Sequence, residues 1–114
     1  MLSFPGRRIF LATETVDMRK SFDTLSAYVS EHFKMDAYSG AVFVFIGKSR
    51  NRMKVLIWED SGFWLCAKRL EIGTFNLPKF SKDGKVRLSP ADFQLLLEGI
   101  VVLKSRRLKR YKKV

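Results

Sequence analysis

Five acidic residues in this chain have the chemistry to hold a divalent metal: Asp17, Asp23, Glu59, Asp60 and Glu71. A Mg²⁺-dependent, nuclease-like centre needs at least three such carboxylates to converge. Their separations in sequence bring none of them together locally except Glu59–Asp60. That pair sits between two apolar runs, "MKVLIW" and "GFWLCA", where a turn is expected. Asp favours turns because its carboxylate bonds nearby backbone amides, so the pair reads as a hairpin tip rather than as a catalytic site. His32 is the single histidine and reads as a surface residue near a helix end, not as a base. Cys66 has no evident partner base and reads as a small hydrophobe within a strand. "GKS" at 47–49 invites comparison with a phosphate-binding loop. That motif requires glycine at position 42, which is Val42.

The cations are more informative. Twenty-two Lys and Arg against eleven Asp and Glu give a formal charge of +11. An excess of this size points to a polyanionic partner, nucleic acid before membrane. The segment "KSRRLKRYKKV" (104–114) carries seven cations and no acid, which leaves +4 on residues 1–103. The division is therefore a single domain over 1–103 and a basic tail over 104–114, the tail serving as a phosphate anchor or as a solubilising appendage. A second cluster, "GKSRNR" (47–52), places Lys48, Arg50 and Arg52 on a loop tip that can touch phosphates. Lys54 and Lys68 lie inside the apolar runs, where long aliphatic stems can carry their amines outward to a partner or a backbone phosphate.

The elements that must position these groups can be read from periodicity. "RRIFLAT" (7–13) is a short strand. Met18, Phe22, Leu25, Val29 and Phe33 make one apolar stripe, predicting a helix from about Met18 to Phe33 with Thr15 or Asp17 as its cap. Arg19 and Asp23 fall one turn apart on its polar side. "AVFVFIG" (41–47), Arg52 to Trp58 and Gly62 to Arg69 are three strands of a meander, and "KVRLS" is a further short one. "SPADF" is a helix start, with Ser89 as cap and Pro90 at the first position; Phe93, Leu96, Leu97 and Ile100 form its inner face. The last eleven residues fit either a helix or disorder. The fold class is α+β: a small antiparallel β-meander sheet packed with two main helices.

With Asp60–Ser61 as the turn, Trp58 faces Phe63, Ile57 faces Trp64, Leu56 faces Leu65 and Val55 faces Cys66. Both sheet faces are then apolar. The helices cover opposite faces, or they share one and leave Phe43, Phe45, Trp58 and Phe63 for another protein. No secretory leader is evident in "MLSFPGRRIFLATETV", no run approaches the roughly 18 apolar residues of a membrane span, and a lone cysteine fits a reducing cytoplasm.

"DMRKSFDTL" (17–25), "YSGAVFVF" (38–45), "MKVLIWEDSG" (53–62), "AKRLEIGTF" (67–75) and "LLLEGI" (95–100) occur in an order and spacing that resembles one family. These are the small TnpB accessory proteins from the second reading frame of insertion-sequence-66 elements, distinct from the RNA-guided nucleases of the same label. The resemblance implies a helper in transposition beside a separate, larger transposase, with no firmly assigned catalytic activity; the sequence itself shows no Gly-rich cofactor loop and no Cys/His metal spacing, so no cofactor or metal is expected. It marks Arg19, Lys20, Asp23, Lys54, Lys68, Arg69 and Glu71 without assigning them roles. The chain departs from the pattern at Thr24, Ala37 and Glu59–Asp60.

The expectation is a non-catalytic factor that binds DNA, a transposase, or both. Phosphate contact falls to Lys48, Arg50, Arg52, Lys54, Lys68, Arg69 and, in the tail, Lys104, Arg106, Arg107, Lys109 and Arg110. Partner contact falls to Arg19, Lys20, Phe43, Phe45, Trp58 and Glu71. The alternatives are the metal-dependent nuclease and a structural protein that forms a homo-oligomer through its second sheet face.

Overall fold

A computed structural model describes residues 2–78, 81–102 and 108–110. Its elements are β1 (Ile9–Ala12), α1 (Phe22–Tyr28) continued by a π-helical turn (Val29–Phe33), β2 (Val42–Ile46), β3 (Arg52–Glu59), β4 (Gly62–Arg69), β5 (Lys85–Leu88), α2 (Pro90–Glu98), β6 (Ile100–Val102) and β7 (Leu108–Arg110). The first five strands form one sheet in the order β4-β3-β2-β1-β5, and β6 and β7 form a separate antiparallel pair. The α+β class and the β2–β3–β4 meander are as expected. β1 adds parallel to β2 by way of α1, so the sheet is mostly, not wholly, antiparallel.

The β3–β4 register pairs Trp58 with Phe63, Ile57 with Trp64, Leu56 with Leu65 and Val55 with Cys66, as side-chain alternation requires. Asp60 takes φ 57°, a left-handed conformation that Asp tolerates better than most residues, and the two-residue turn closes on Glu59 and Gly62.

Both sheet faces are covered, by helices on opposite sides. α1 and the π-helical turn that continues it lay Leu25, Val29 and Phe33 over Phe10, Phe43, Phe45 and Leu56. α2 lays Phe93, Leu96 and Leu97 over Ile9, Val42, Val44, Val55 and Ile57. Phe43 and Phe45 are each 0% exposed. They are core residues, and the expectation that they contact another protein is corrected by the helix lying on them. Burying a side chain of that size contributes roughly 2–3 kcal/mol.

α1 starts later than expected, at Phe22 with Ser21 as cap. The cause lies at Asp17, whose carboxylate accepts from the Arg19 backbone N–H at 2.9 Å and from its guanidinium at 2.7 Å. The Lys20 N–H donates to the Asp17 carbonyl at 3.1 Å, closing a tight turn where a helix was expected. Arg19 thus pairs with Asp17, not with Asp23. Met18 leaves the helix stripe and packs over Gly47, where an added Cβ would lie 2.5 Å from its Cγ. Phe22 is half-exposed at the helix start.

α2 follows the sequence closely. The Ser89 hydroxyl accepts from the Asp92 N–H at 3.0 Å, and Pro90 occupies the first turn. The helix ends at Glu98, with Gly99 at φ 76° pressed against Leu70. Ile100 therefore belongs to β6, not to the inner face of α2. β7 lies within the segment read as helical or disordered and is a strand paired with β6.

Candidate nucleic-acid interface

The β2–β3 connection is a tight turn with its ends tied. The Gly47 N–H donates to the Arg52 carbonyl at 3.0 Å, the Arg50 N–H to the Gly47 carbonyl at 2.9 Å, and the Ser49 hydroxyl to Asn51 Oδ1 at 2.5 Å. The chain after β4 then braces it from the side. Leu70 N–H donates to Asn51 O at 2.7 Å and Phe75 N–H to Arg50 O at 2.6 Å, while the Leu70 and Phe75 side chains are buried. Arg50 is held at φ 63°, a conformation that persists for a non-glycine residue only where surroundings over-determine it. The tip is thus a rigid platform, and Lys48, Arg50 and Arg52 are all exposed on it. Among the described residues, none of these three side chains has an ion-pair or hydrogen-bond partner.

Two clefts flank Arg52. One, of about 360 Å³, is lined by Met18, Arg52, Lys54, Lys68, Arg69 and Glu71. The other, of about 500 Å³, is lined by Thr15, Asp17, Met18, Lys48, Ser49 and Arg52. Arg52 lies directly across the ladder from Arg69. Like charges in that position repel and are ordinarily unfavourable. Arg69 is partly neutralised by Glu71 at 3.1 Å, and the Arg52 charge is left to solvent or to an anion.

The strand lysines have a structural task that sequence reading did not anticipate. Lys54 Nζ donates to the Lys20 carbonyl at 2.6 Å, on the turn that leads into α1. Lys68 Nζ donates to the Leu97 carbonyl at 2.7 Å, in the last turn of α2, where a cation also meets the negative end of the helix dipole. Lys85 Nζ, which sequence reading missed, does the same on the other side, reaching the Phe33 carbonyl at 3.0 Å. Each ammonium crosses from the sheet to a carbonyl at or beside the end of a helical segment. Lys54 and Lys68 are thus explained as tethers between layers, without calling on phosphate.

The remaining nominated residues divide. Arg19 is exposed and bonded to Asp17; Lys20 is half-buried and offers its carbonyl to Lys54; Glu71 pairs with Arg69. Trp58 lies near the opposite end of the sheet. Its ring meets Tyr38 edge-on at 4.9 Å and Phe63 at 5.0 Å, and Tyr38 is exposed. Tyr38 carries no periodic signal, so nothing in the sequence assigned it to this cluster. Lys104, Arg106 and Arg107 lie outside the described residues, and Lys109 and Arg110 fall in β7.

The five acids nominated for a metal are spread over the Asp17 turn, α1, the β3–β4 tip and the segment after β4. Among the described residues no three His, Cys, Asp or Glu side chains come together in a way that could hold a metal ion. The Arg19 guanidinium, bonded to both Asp17 oxygens, holds that carboxyl well below the usual carboxylate range. That pairing is structural and spends the charge locally. His32 is exposed and stacks on Tyr28 at 4.1 Å. Among the described residues no helix is long and apolar enough to cross a membrane.

Comparison with known proteins gives one family. Residues 7–107 match the model described as "IS66 Orf2 like protein", a wider span than the motifs alone suggested. The chain is similar to uncharacterized protein y4jC of Sinorhizobium fredii (strain NBRC 101917 / NGR234), 40% identical over 95 residues that cover 83% of this chain and 80% of the relative. It is similar in the same degree to uncharacterized protein y4hO of that strain, 40% identical over 94 residues, 82% of this chain and 80% of the relative. No solved structure matches.

Proposed function

This chain belongs to the IS66 Orf2-like family, and on that premise we propose that it is a non-catalytic accessory protein of insertion-sequence transposition that holds DNA by its phosphates. One observation carries the DNA reading: Lys48, Arg50 and Arg52 stand exposed, with no ion-pair partner among the described residues, on a turn braced by Leu70 and Phe75. Cations fixed on a braced turn lose little conformational freedom on meeting an anion, and phosphate is the anion that a duplex presents at regular intervals. A contact made to phosphates alone positions DNA without selecting sequence. The basic segment 104–114 adds charge of the same sign.

The test is duplex binding across a salt series, for the full chain, residues 1–103, and a Lys48→Gln/Arg50→Gln/Arg52→Gln variant. Each phosphate contact contributes roughly −0.9 to the slope of log affinity against log salt, so losing three should flatten it by about 2–3. The expected result is that flattening, on element-end and random duplexes alike, with the far-ultraviolet circular dichroism unchanged. Wild-type binding by the triple variant at every salt concentration removes the turn from the site.

A second partner, the transposase of the same element, is supported by the Tyr38–Trp58–Phe63 cluster at the opposite end of the sheet. Its location leaves both contacts free to form at once. Loss of transposase binding in a Tyr38→Ala/Trp58→Ala variant that still binds DNA is the expected result.

A further inference from the structure

The two edges of the five-stranded sheet are built differently. β5 is four residues long and carries Lys85 and Arg87, the usual means by which an edge is kept from pairing with another chain. β4 is eight residues long and runs Gly-Phe-Trp-Leu-Cys-Ala before its first charge at Lys68. It contains no proline, and Trp64 stands 61% exposed on it. An edge this long, apolar from Gly62 to Ala67 and charged only at its Lys68–Arg69 end, is a template for another strand.

We propose that β4 pairs antiparallel with β4 of a second copy of this chain, about a two-fold axis through Cys66. The phase of the ladder comes first. The two-residue turn closes on Glu59 and Gly62, and the Leu70 N–H bond to Asn51 lies eight residues further along in the same phase. Bonded and non-bonded pairs alternate in an antiparallel ladder, so Phe63, Leu65, Ala67 and Arg69 turn their backbone N–H and C=O groups away from β3. Two copies can satisfy those groups only when odd-numbered residues face odd-numbered residues, which centres the axis on a residue and not between two.

Self-complementarity then selects the register. With the axis at Cys66, Trp64 of each copy faces Lys68 of the other, Phe63 faces Arg69, and Leu65 faces Ala67. Every cation on the edge meets an aromatic ring, an attractive pairing. Centring on Leu65 puts Lys68 against Gly62, and centring on Ala67 puts Arg69 against Leu65; each discards those contacts. The cation–aromatic match on both sheet faces is what assigns the edge to a second copy rather than to an unrelated strand. The result is a continuous ten-stranded sheet with its two α2 helices on one face, its α1 helices on the other, and a basic β2–β3 turn in each half.

The axis makes a chemical signature. Cys66 faces its own counterpart as a non-bonded pair, with Cα atoms roughly 4.5 Å apart, which is within the range a disulfide spans. Added diamide, which takes up the two electrons and two protons released, should therefore link two chains through Cys66, and Cys66→Ser should abolish the link while still sedimenting as a dimer. Two substitutions at exposed Trp64 read the register itself. Trp64→Lys sets like charges opposite Lys68 twice per dimer and should weaken association about tenfold, whereas Trp64→Glu sets opposite charges there and should hold it within a few fold. Sedimentation of the wild type as a monomer at all concentrations overturns the proposal. So does a dimer that neither links through Cys66 nor distinguishes Trp64→Lys from Trp64→Glu. If the wild type is monomeric and Trp64→Lys instead abolishes transposase binding, the edge belongs to that partner.

Discussion

At the scale of single residues, the structure separates cations that hold the protein together from cations free to hold something else. Lys68→Met keeps the aliphatic stem and removes the bond to the Leu97 carbonyl. The expected cost is about 1 kcal/mol, seen as a melting temperature lower by several degrees, with the salt dependence of DNA binding unchanged. A flattened salt slope at unchanged stability would instead place Lys68 on phosphate. Asp17 gives a pH prediction. Its pKa lies below the ordinary 3.8 because of Arg19, so the folded state favours the ionised form. The support this lends the 17–20 turn is full above about pH 4 and is lost as pH falls through the lower, folded value. The Asp17 carboxyl carbon, followed by NMR, should stay ionised well below pH 3.8, and in Arg19→Gln, which keeps the backbone N–H bond but loses the guanidinium, its titration should move up toward the ordinary value. The lysine tethers were not legible in the sequence. A lysine in an apolar strand announces an outward stem, but which acceptor it meets depends on where a helix from elsewhere in the chain ends.

At the scale of elements, what the sequence revealed depended on whether the deciding signal was local. α2 was legible because its start is written in adjacent residues: the Ser89 cap, Pro90 in the first turn and Asp92 beside them. The β3–β4 register was legible because a two-residue turn fixes it and a one-residue slip would reverse every side chain. The start of α1 was not, since Asp17 is an acceptable cap by type and is diverted by Arg19 two residues on. Nor was the parallel β1–β2 pairing, which joins segments more than thirty residues apart. The end of α2 offers a test. Gly99 has φ 76°, and a Cβ there would come 2.6 Å from Leu70 Cδ1. Gly99→Ala combines left-handed strain with displacement of a side chain whose backbone braces the basic turn. A loss of about 1–3 kcal/mol in a denaturant titration is expected. Because the two effects share Leu70, DNA affinity should fall with stability; a stable variant with weakened binding would show the brace acting on its own.

At the scale of the whole molecule, the apolar content that made both sheet faces look sticky resolves into two half-cores, one under each helix. The sequence left open whether the second face was core or interface, because composition counts apolar residues without saying what covers them. The structure covers both faces and leaves the unusual surface at an edge, which face-by-face reading of strands passes over. The charge follows a similar division. Lys48, Arg50 and Arg52 stand together at the β2–β3 turn, and the aromatic cluster around Trp58 sits at the far end, so a basic turn and an aromatic patch lie at opposite ends of the strands.

The strand order has a consequence for how this chain is made. β1 lies between β2 and β5, with Ile9 across from Leu88. A strand near the start of the chain therefore waits for residues near its end before its second side is filled. Contacts of such wide sequence separation are slow to close, since the loop between them must be ordered first. During synthesis β2, β3 and β4 can assemble as a meander while β1 still has an open flank, so the nascent sheet exposes the apolar β1 where the finished sheet ends on the short, charged β5. Completion of the sheet, and with it the anchoring of the Phe33 carbonyl by Lys85, is thus a late event timed by the emergence of the last quarter of the chain.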